Sequence, residues 1–356
     1  MALELQSVSK NVDGETHISD VSVRCNPGEF NVLLGPTLAG KTSLLRLMAG
    51  LDEPSAGRIM MAGQDVTGLP VRKRDVAFVY QQFINYPGFS VFDNIASPLK
   101  IAKISKDEIA ARVEKVADLL GLTPFLQRKP LELSGGQQQR VALGRALARE
   151  AELVLLDEPL ANLDYKLREE LRAELPKLFQ NTGSMVVYAT SEPEEALLLG
   201  GQVIVLHEGQ VQQAGATLEV YNSPASLQAA MTFADPPLNV LPAIKSDAAE
   251  VKSLDGDLTL KVNGNASAVA EGAKCTVGFR PHQLGLARTS ECEVELKGRV
   301  TLTEITGSES FIHVEAVGER WTALAHGIHA PEVGAEVSLF LDPETAFVFA
   351  GGAGNG

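Results

Sequence analysis

The octapeptide GPTLAGKT at residues 35–42 has the spacing G-x-x-x-x-G-K-[ST]. It follows FNVLLG (30–35), an apolar run that reads as a buried strand, and precedes SLLRLMAG, which reads as a helix. In that setting Gly35 and Gly40 let the backbone through Pro36, Thr37, Leu38 and Ala39 turn its N–H groups inward around phosphate oxygens. Lys41 then neutralises β- and γ-phosphate charge, the Thr42 hydroxyl is a magnesium ligand, and Ser43 continues the binding segment into the helix. A second buried-strand pattern, LVLLDEP (153–159), ends on two acids. Asp157 is placed to hold magnesium through water, and Glu158 to accept a proton from attacking water. Two acids at a strand end are by themselves often a solvated edge; beside a phosphate loop they complete a phosphoryl-transfer site.

LSGGQQQR (133–140) puts Ser134, Gly135, Gly136 and Gln137 at the start of a helical stretch, where bare backbone amides favour an anion. Alone it would be an ordinary serine cap. MVVYATSEPEEALLLGG (185–201) reads as a strand that runs out at Thr190 and Ser191, with Pro193 opening a helix.

These motifs, in this order, resemble the ATP-binding subunits of ABC transporters across nearly the whole chain. The resemblance implies that GPTLAGKT is the Walker A loop and LVLLDEP the Walker B strand. It makes Gln81 in FVYQQF the Q-loop glutamine, a contact to γ-phosphate and magnesium, LSGGQ the signature, and Asp164 in ANLD part of the D-loop. The cofactors implied are ATP and Mg2+. Two such subunits sandwich ATP between the Walker A loop of one and the signature of the other. Part of FINYPGFSVFDNI (83–95) would line a groove for a permease helix.

Two positions depart from the family. Where it usually carries a histidine near the γ-phosphate, this chain has Ser191, and loss of one transition-state donor typically costs about 10²–10³-fold in rate. Where it carries an aromatic that stacks on adenine, this chain has Val12, weakening a contact worth about 1–3 kcal/mol. The expectation is a heterodimer in which this chain's own Walker A site is slow and its signature completes a good site on a second ATPase subunit. The alternative is a nucleotide-binding regulatory subunit of the same kind of transporter that leaves catalysis to its partner.

The elements that must position these residues read as an α/β P-loop ATPase core over 1–235, with an inserted helical subdomain at about 83–150. Within it, KDEIAARVEKVADLLGL places Ile109, Val113, Val116 and Leu120 on one helical face. Beyond a proline-rich break the pattern changes to short alternating strands, an all-β domain over 236–349, with a flexible tail at 350–356. Its segments VGFRPHQL, GRVTLTEITGSES and LFLDPETAFVF resemble the OB-like regulatory domain of carbohydrate importers. QQFINYP, ANLDYKLREEL and ATSEPEEALLLGG are most similar to one ATPase of the glycerol importers that carry two different ATPases.

That resemblance implies two transmembrane permease subunits as partners, a solute-binding protein indirectly, and a peripheral position on the cytoplasmic face of the membrane. A net charge of −14 argues against nucleic acid as a partner. Cys25, Cys275 and Cys292 are odd in number and lack metal spacing, and no apolar run is long enough to span a bilayer.

Overall fold

LELQSVSKNV and ETHISDVSVRC alternate apolar and polar residues, the period of a half-buried strand. They pair as an antiparallel hairpin, β1 (Leu3–Val12) and β2 (Glu15–Cys25). The wholly buried β3 (Phe30–Leu34) leads to helix α1 (Lys41–Ala49), the ribbon β4 (Ala56–Met61) and β5 (Gln64–Asp65), and then β6 (Val76–Val79). Helices α2 (Val91–Ile101), α3 (Lys106–Leu119) and α4 (Gly135–Arg149) follow. The chain then alternates β7 (Leu153–Asp157), α5 (Tyr165–Gln180), β8 (Met185–Thr190) and α6 (Pro193–Leu199). It continues through β9 (Gln202–His207), β10 (Gln210–Ala216) and α7 (Thr217–Asn222). This computed structural model describes residues 2–351 apart from 162, 181–182, 257, 263–268 and 292.

A six-stranded sheet, ordered β10-β9-β3-β8-β7-β6, is parallel except for its edge strand β10. Its parallel strands are largely apolar on both faces, as a sheet covered on both sides requires. Registers Leu34↔Thr190 and Asp157↔Ala189 bring the carboxyl ends of β3, β7 and β8 to one edge, where α/β sheets bind ligands. Helix α1 is anchored by Leu44, Leu45, Leu47 and Met48, all fully buried in one core with Leu33, Leu155 and Val187. Each such side chain contributes about 1.5–3 kcal/mol by leaving water.

The helical insertion packs through Ile109, Val113, Val116 and Leu120, the face expected from the spacing, all of them buried. Ser90 and Ser105 cap α2 and α3 by accepting from the amides of Asp93 and Glu108. Gly144 lets α4 approach its neighbours: a Cβ there would stand 3.2 Å from Leu120 and 3.3 Å from Ile95.

Contacts divide the chain into Met1–Ser223 and Pro224–Gly356, so the division falls earlier than the break near 235 read from the prolines. The reason is α8 (Leu227–Thr232), whose Ala230 packs with Leu238, Phe347 and Phe349 of the second unit. That unit continues through β11 (Asn239–Asp247), β12 (Glu250–Ser253), β13 (Thr259–Lys261), β14 (Lys274–Phe279) and β15 (Leu284–Gly285). It ends with β16 (Val294–Ile305), β17 (Glu309–Ala316), β18 (Glu319–His326), β19 (Glu336–Leu341) and β20 (Phe347–Ala350). Two antiparallel sheets, β13-β12-β11-β14-β20 and β15-β19-β16-β17-β18, share one core. At its centre Trp321 meets Phe279 edge-on at 5.0 Å and donates its indole N–H to the Val240 carbonyl at 2.9 Å.

Cys25 and Cys275 are free and buried, and burial pushes the Cys25 thiol up to about 12. Cys292 and the tail beyond Gly351 lie outside the described residues.

Candidate functional site

The loop between β3 and α1 holds its shape because its residue types permit it. Gly35 ends β3 where a Cβ would lie 2.3 Å from the Leu206 carbonyl of β9. Gly40 has φ 98°, a conformation open to glycine and costly to other residues. Leu38 also has positive φ, 68°, and is 95% exposed, so a strained backbone rather than burial defines the loop's crest.

Five side chains converge beneath that loop. Lys41, 5% exposed, donates from Nζ to the carbonyls of Gly35 at 2.7 Å and Pro36 at 3.0 Å, and lies 3.3 Å from Glu158 Oε1. Gln81 donates to the other Glu158 oxygen at 3.0 Å. Thr42 donates its hydroxyl proton to Asp157 Oδ2 at 2.8 Å. Burial lifts the Asp157 carboxyl above its ordinary value, while the Thr42 hydroxyl opposes that lift. Glu158 sits at φ 45°, and its amide donates to the Ala189 carbonyl at 3.0 Å, which turns its side chain out of β7. The set fits a magnesium-bound triphosphate: an ammonium for phosphate charge, and a hydroxyl and one carboxylate that leave further magnesium positions to phosphate and water. No cluster of three or more His, Cys, Asp or Glu suited to a metal occurs among the described residues.

With Asp157 behind Thr42 and outside the lining, Lys41, Thr42, Gln81 and Glu158 line a cavity of about 590 Å³, within the range of small-molecule and cofactor sites. Its other wall was not foreseen from the motifs: Glu15, Thr16 and His17 from β2, and Glu208 and Gly209 from the β9–β10 turn. Val12 is 37% exposed and is not among the residues that line it. The only signal for this wall is the strand-like alternation of residues 15–25.

The remaining sequence candidates lie outside the cavity lining. Ser134 caps α4 in a capping box with Gln137, with bonds of 3.3 and 3.0 Å, and Gly135 and Gly136 form its first turn. Asp164 accepts from the Leu167 amide at 3.0 Å, at the start of α5. Ser191 is exposed just past β8, and no hydrogen bond of its side chain is seen among the described residues.

Its neighbours, by contrast, are tightly held. Glu195, 4% exposed, accepts from the hydroxyls of Thr190 at 2.6 Å and Tyr188 at 2.9 Å. Arg172, 7% exposed, pairs with Glu195 at 3.4 Å and also with Glu192. The Thr190 carbonyl in turn accepts from the Gly35 amide at 3.3 Å, so this buried network braces the start of the phosphate loop.

A glycine loop between β3 and α1, with Lys41, Thr42, Asp157 and Glu158 gathered at the carboxyl edge of a parallel sheet, is the architecture of a P-loop ATPase. The chain belongs to the ABC transporter family, as an importer ATP-binding subunit: residues 18–161 match the ABC transporter domain and 257–349 the TOBE domain. It is 38% identical to the trehalose/maltose import ATP-binding protein of Thermococcus litoralis, over 94% of this chain and 93% of that one. It is 41% identical to the sn-glycerol-3-phosphate import ATP-binding protein of Ruegeria pomeroyi, over 93% and 95%. A dimeric bacterial ABC transporter cassette, MJ0796, covers 60% of this chain with TM-score 0.56 and 31% identity, over 98% of its own length. Its dimeric post-hydrolysis state bound to ADP and Pi is similar at TM-score 0.55.

Proposed function

We propose that this chain binds and hydrolyses ATP to power import of a sugar, a glycerol-class polyol or its phosphate through a pair of membrane permease subunits. The observation that carries the reading is Glu158, held between the Lys41 ammonium and the Gln81 amide beside the Thr42–Asp157 pair. Magnesium-bound ATP supplies the phosphoanhydride bond. Lys41 and the loop amides orient the phosphates, Glu158 takes the proton of the attacking water, and Gln81 sets the direction of the Glu158 carboxylate. A base so placed favours turnover over a regulatory clamp.

The full-length likeness to sugar and glycerol-phosphate import proteins supports the solute class and a position at the cytoplasmic face, with a solute-binding protein acting indirectly. Among the described residues no helix is long and apolar enough to cross a membrane. Exposed Ile84, Tyr86 and Phe89 support a permease contact next to Gln81. Arg145 stiffens that stretch, lying 4.3 Å from the Tyr86 ring and donating to the Ile84 carbonyl at 2.6 Å.

Ser134 to Gln137 lie outside the chain's own cavity lining, which supports completion by a second cassette. A different second ATPase, rather than a second copy, is the finer form of this reading, and exposed Ser191 is the observation that favours it. The test is magnesium-dependent phosphate release by the chain alone across protein concentrations. Release that rises faster than linearly means a working homodimer. Release only after a second ATPase subunit is added means a heterodimer. No release with either would remove the reading.

A further inference from the structure

The hairpin register contains an irregularity beside the cavity. Lys10 pairs with Ile18 and Asn11 pairs with Thr16, so His17 is an extra residue on β2 that faces no partner on β1. A bulge of this kind bends the strand and re-aims the bulged side chain. Here the bulged residue lines the nucleotide cavity, and His17 carries the one ring among the described lining residues. Its backbone passes close to the phosphate loop. The His17 carbonyl lies 3.0 Å from where a Gly40 Cβ would stand and 2.4 Å from where a Gly209 Cβ would stand. Gly209 itself donates to Ala39 and accepts from Ser19, each at 2.9 Å. The His17 backbone therefore runs close against the loop that grips the phosphates, and its imidazole is exposed and without a hydrogen bond among the described residues, open to a ligand in the cavity.

We propose that the His17 ring stacks on the adenine of bound ATP, in place of an aromatic at Val12. Histidine is among the side chains on which bases stack, and stacking needs only the π-face that every base presents. A Val12 side chain at the hairpin tip, opposite Glu15, offers no such surface.

This inference rests on the ATPase reading, and calorimetric titration of the full chain separates the two. In a Glu158→Gln background, so that nucleotide is not consumed, magnesium-ATP and magnesium tripolyphosphate are titrated into the parent, His17→Ala and His17→Phe. His17→Ala is expected to weaken ATP about tenfold, the lower part of the stacking range, and to leave tripolyphosphate unchanged. His17→Phe is expected to restore ATP binding. Equal weakening of both ligands would mean that the bulge only supports the loop, and an unchanged ATP affinity would place the base elsewhere; either overturns the inference alone. A parent that binds no ATP overturns the function as well.

Discussion

The two ends of the nucleotide cavity are built in opposite ways. At the phosphate end Lys41, Thr42, Gln81, Asp157 and Glu158 bond to one another or to the loop, and Lys41 and Asp157 are almost wholly buried. At the base end Glu15, Thr16, His17 and Glu208 are all exposed, with no side-chain hydrogen bonds among the described residues. Charge develops at the first end during phosphoryl transfer, and fixed dipoles lower the barrier only if they need not reorganise. On the proposed reading the second end contributes affinity alone, which a strand bulge can supply with many side chains. One end is therefore constrained by chemistry and the other by shape.

The largest test of that contrast is Glu158→Gln. It should lower phosphate release about 10²–10⁴-fold and leave ATP affinity within a few-fold; a parallel collapse of affinity would show that Glu158 organises binding too. Next is Arg172→Ala, which leaves buried Glu195 without its cation behind the Thr190–Gly35 contact. Thermal denaturation should reveal a loss of about 3–5 kcal/mol. A loss below 1 kcal/mol would mean the phosphate end does not depend on that brace.

Smaller effects sharpen the comparison at its edges. At the far end of α1, Arg46 holds Asp52 through bonds of 2.7 and 2.8 Å and lowers its carboxyl below the ordinary 3.8. A depressed carboxylate stabilises the fold above its unfolded value and loses that contribution as pH falls through its folded one. The pair is partly exposed, so Asp52→Asn should cost at most about 1 kcal/mol at neutral pH. Urea titrations should show the difference from wild type vanishing in acid; a constant difference would assign it to packing. Smallest is Glu208→Gln, which removes an exposed negative charge from the base end. ATP should bind about twofold tighter at low salt and equally in high salt, since exposed charges are screened there.

The candidate residues of the phosphate end were legible from motif spacing and family resemblance. Gln81 was named only through the resemblance to the family, whereas GPTLAGKT and DEP each had an apolar run beside them, and apolar periodicity reports burial directly. The switch from α/β to all-β was legible for the same reason. The division at Ser223 was not, because α8 carries its proline-rich linker signal after it rather than before, and what assigns it to the second unit is the packing of Ala230 on Phe347 and Phe349. The far wall of the cavity was equally hidden: residue types predicted a deficit at Val12, and nothing local announced that His17 would line the cavity.

The sequence by itself determined which groups are offered to a phosphate, since glycine, lysine, threonine and paired acids at those intervals carry their conformations and charges with them. Only the tertiary structure decided what surrounds them. The brace of Arg172 on Glu195 joins residues 23 apart in the chain. The far wall of the cavity joins β2, a turn near residue 208 and the phosphate loop through hydrogen bonds that the fold creates. A bulge, being a mismatch between two strands, exists in neither strand's sequence alone.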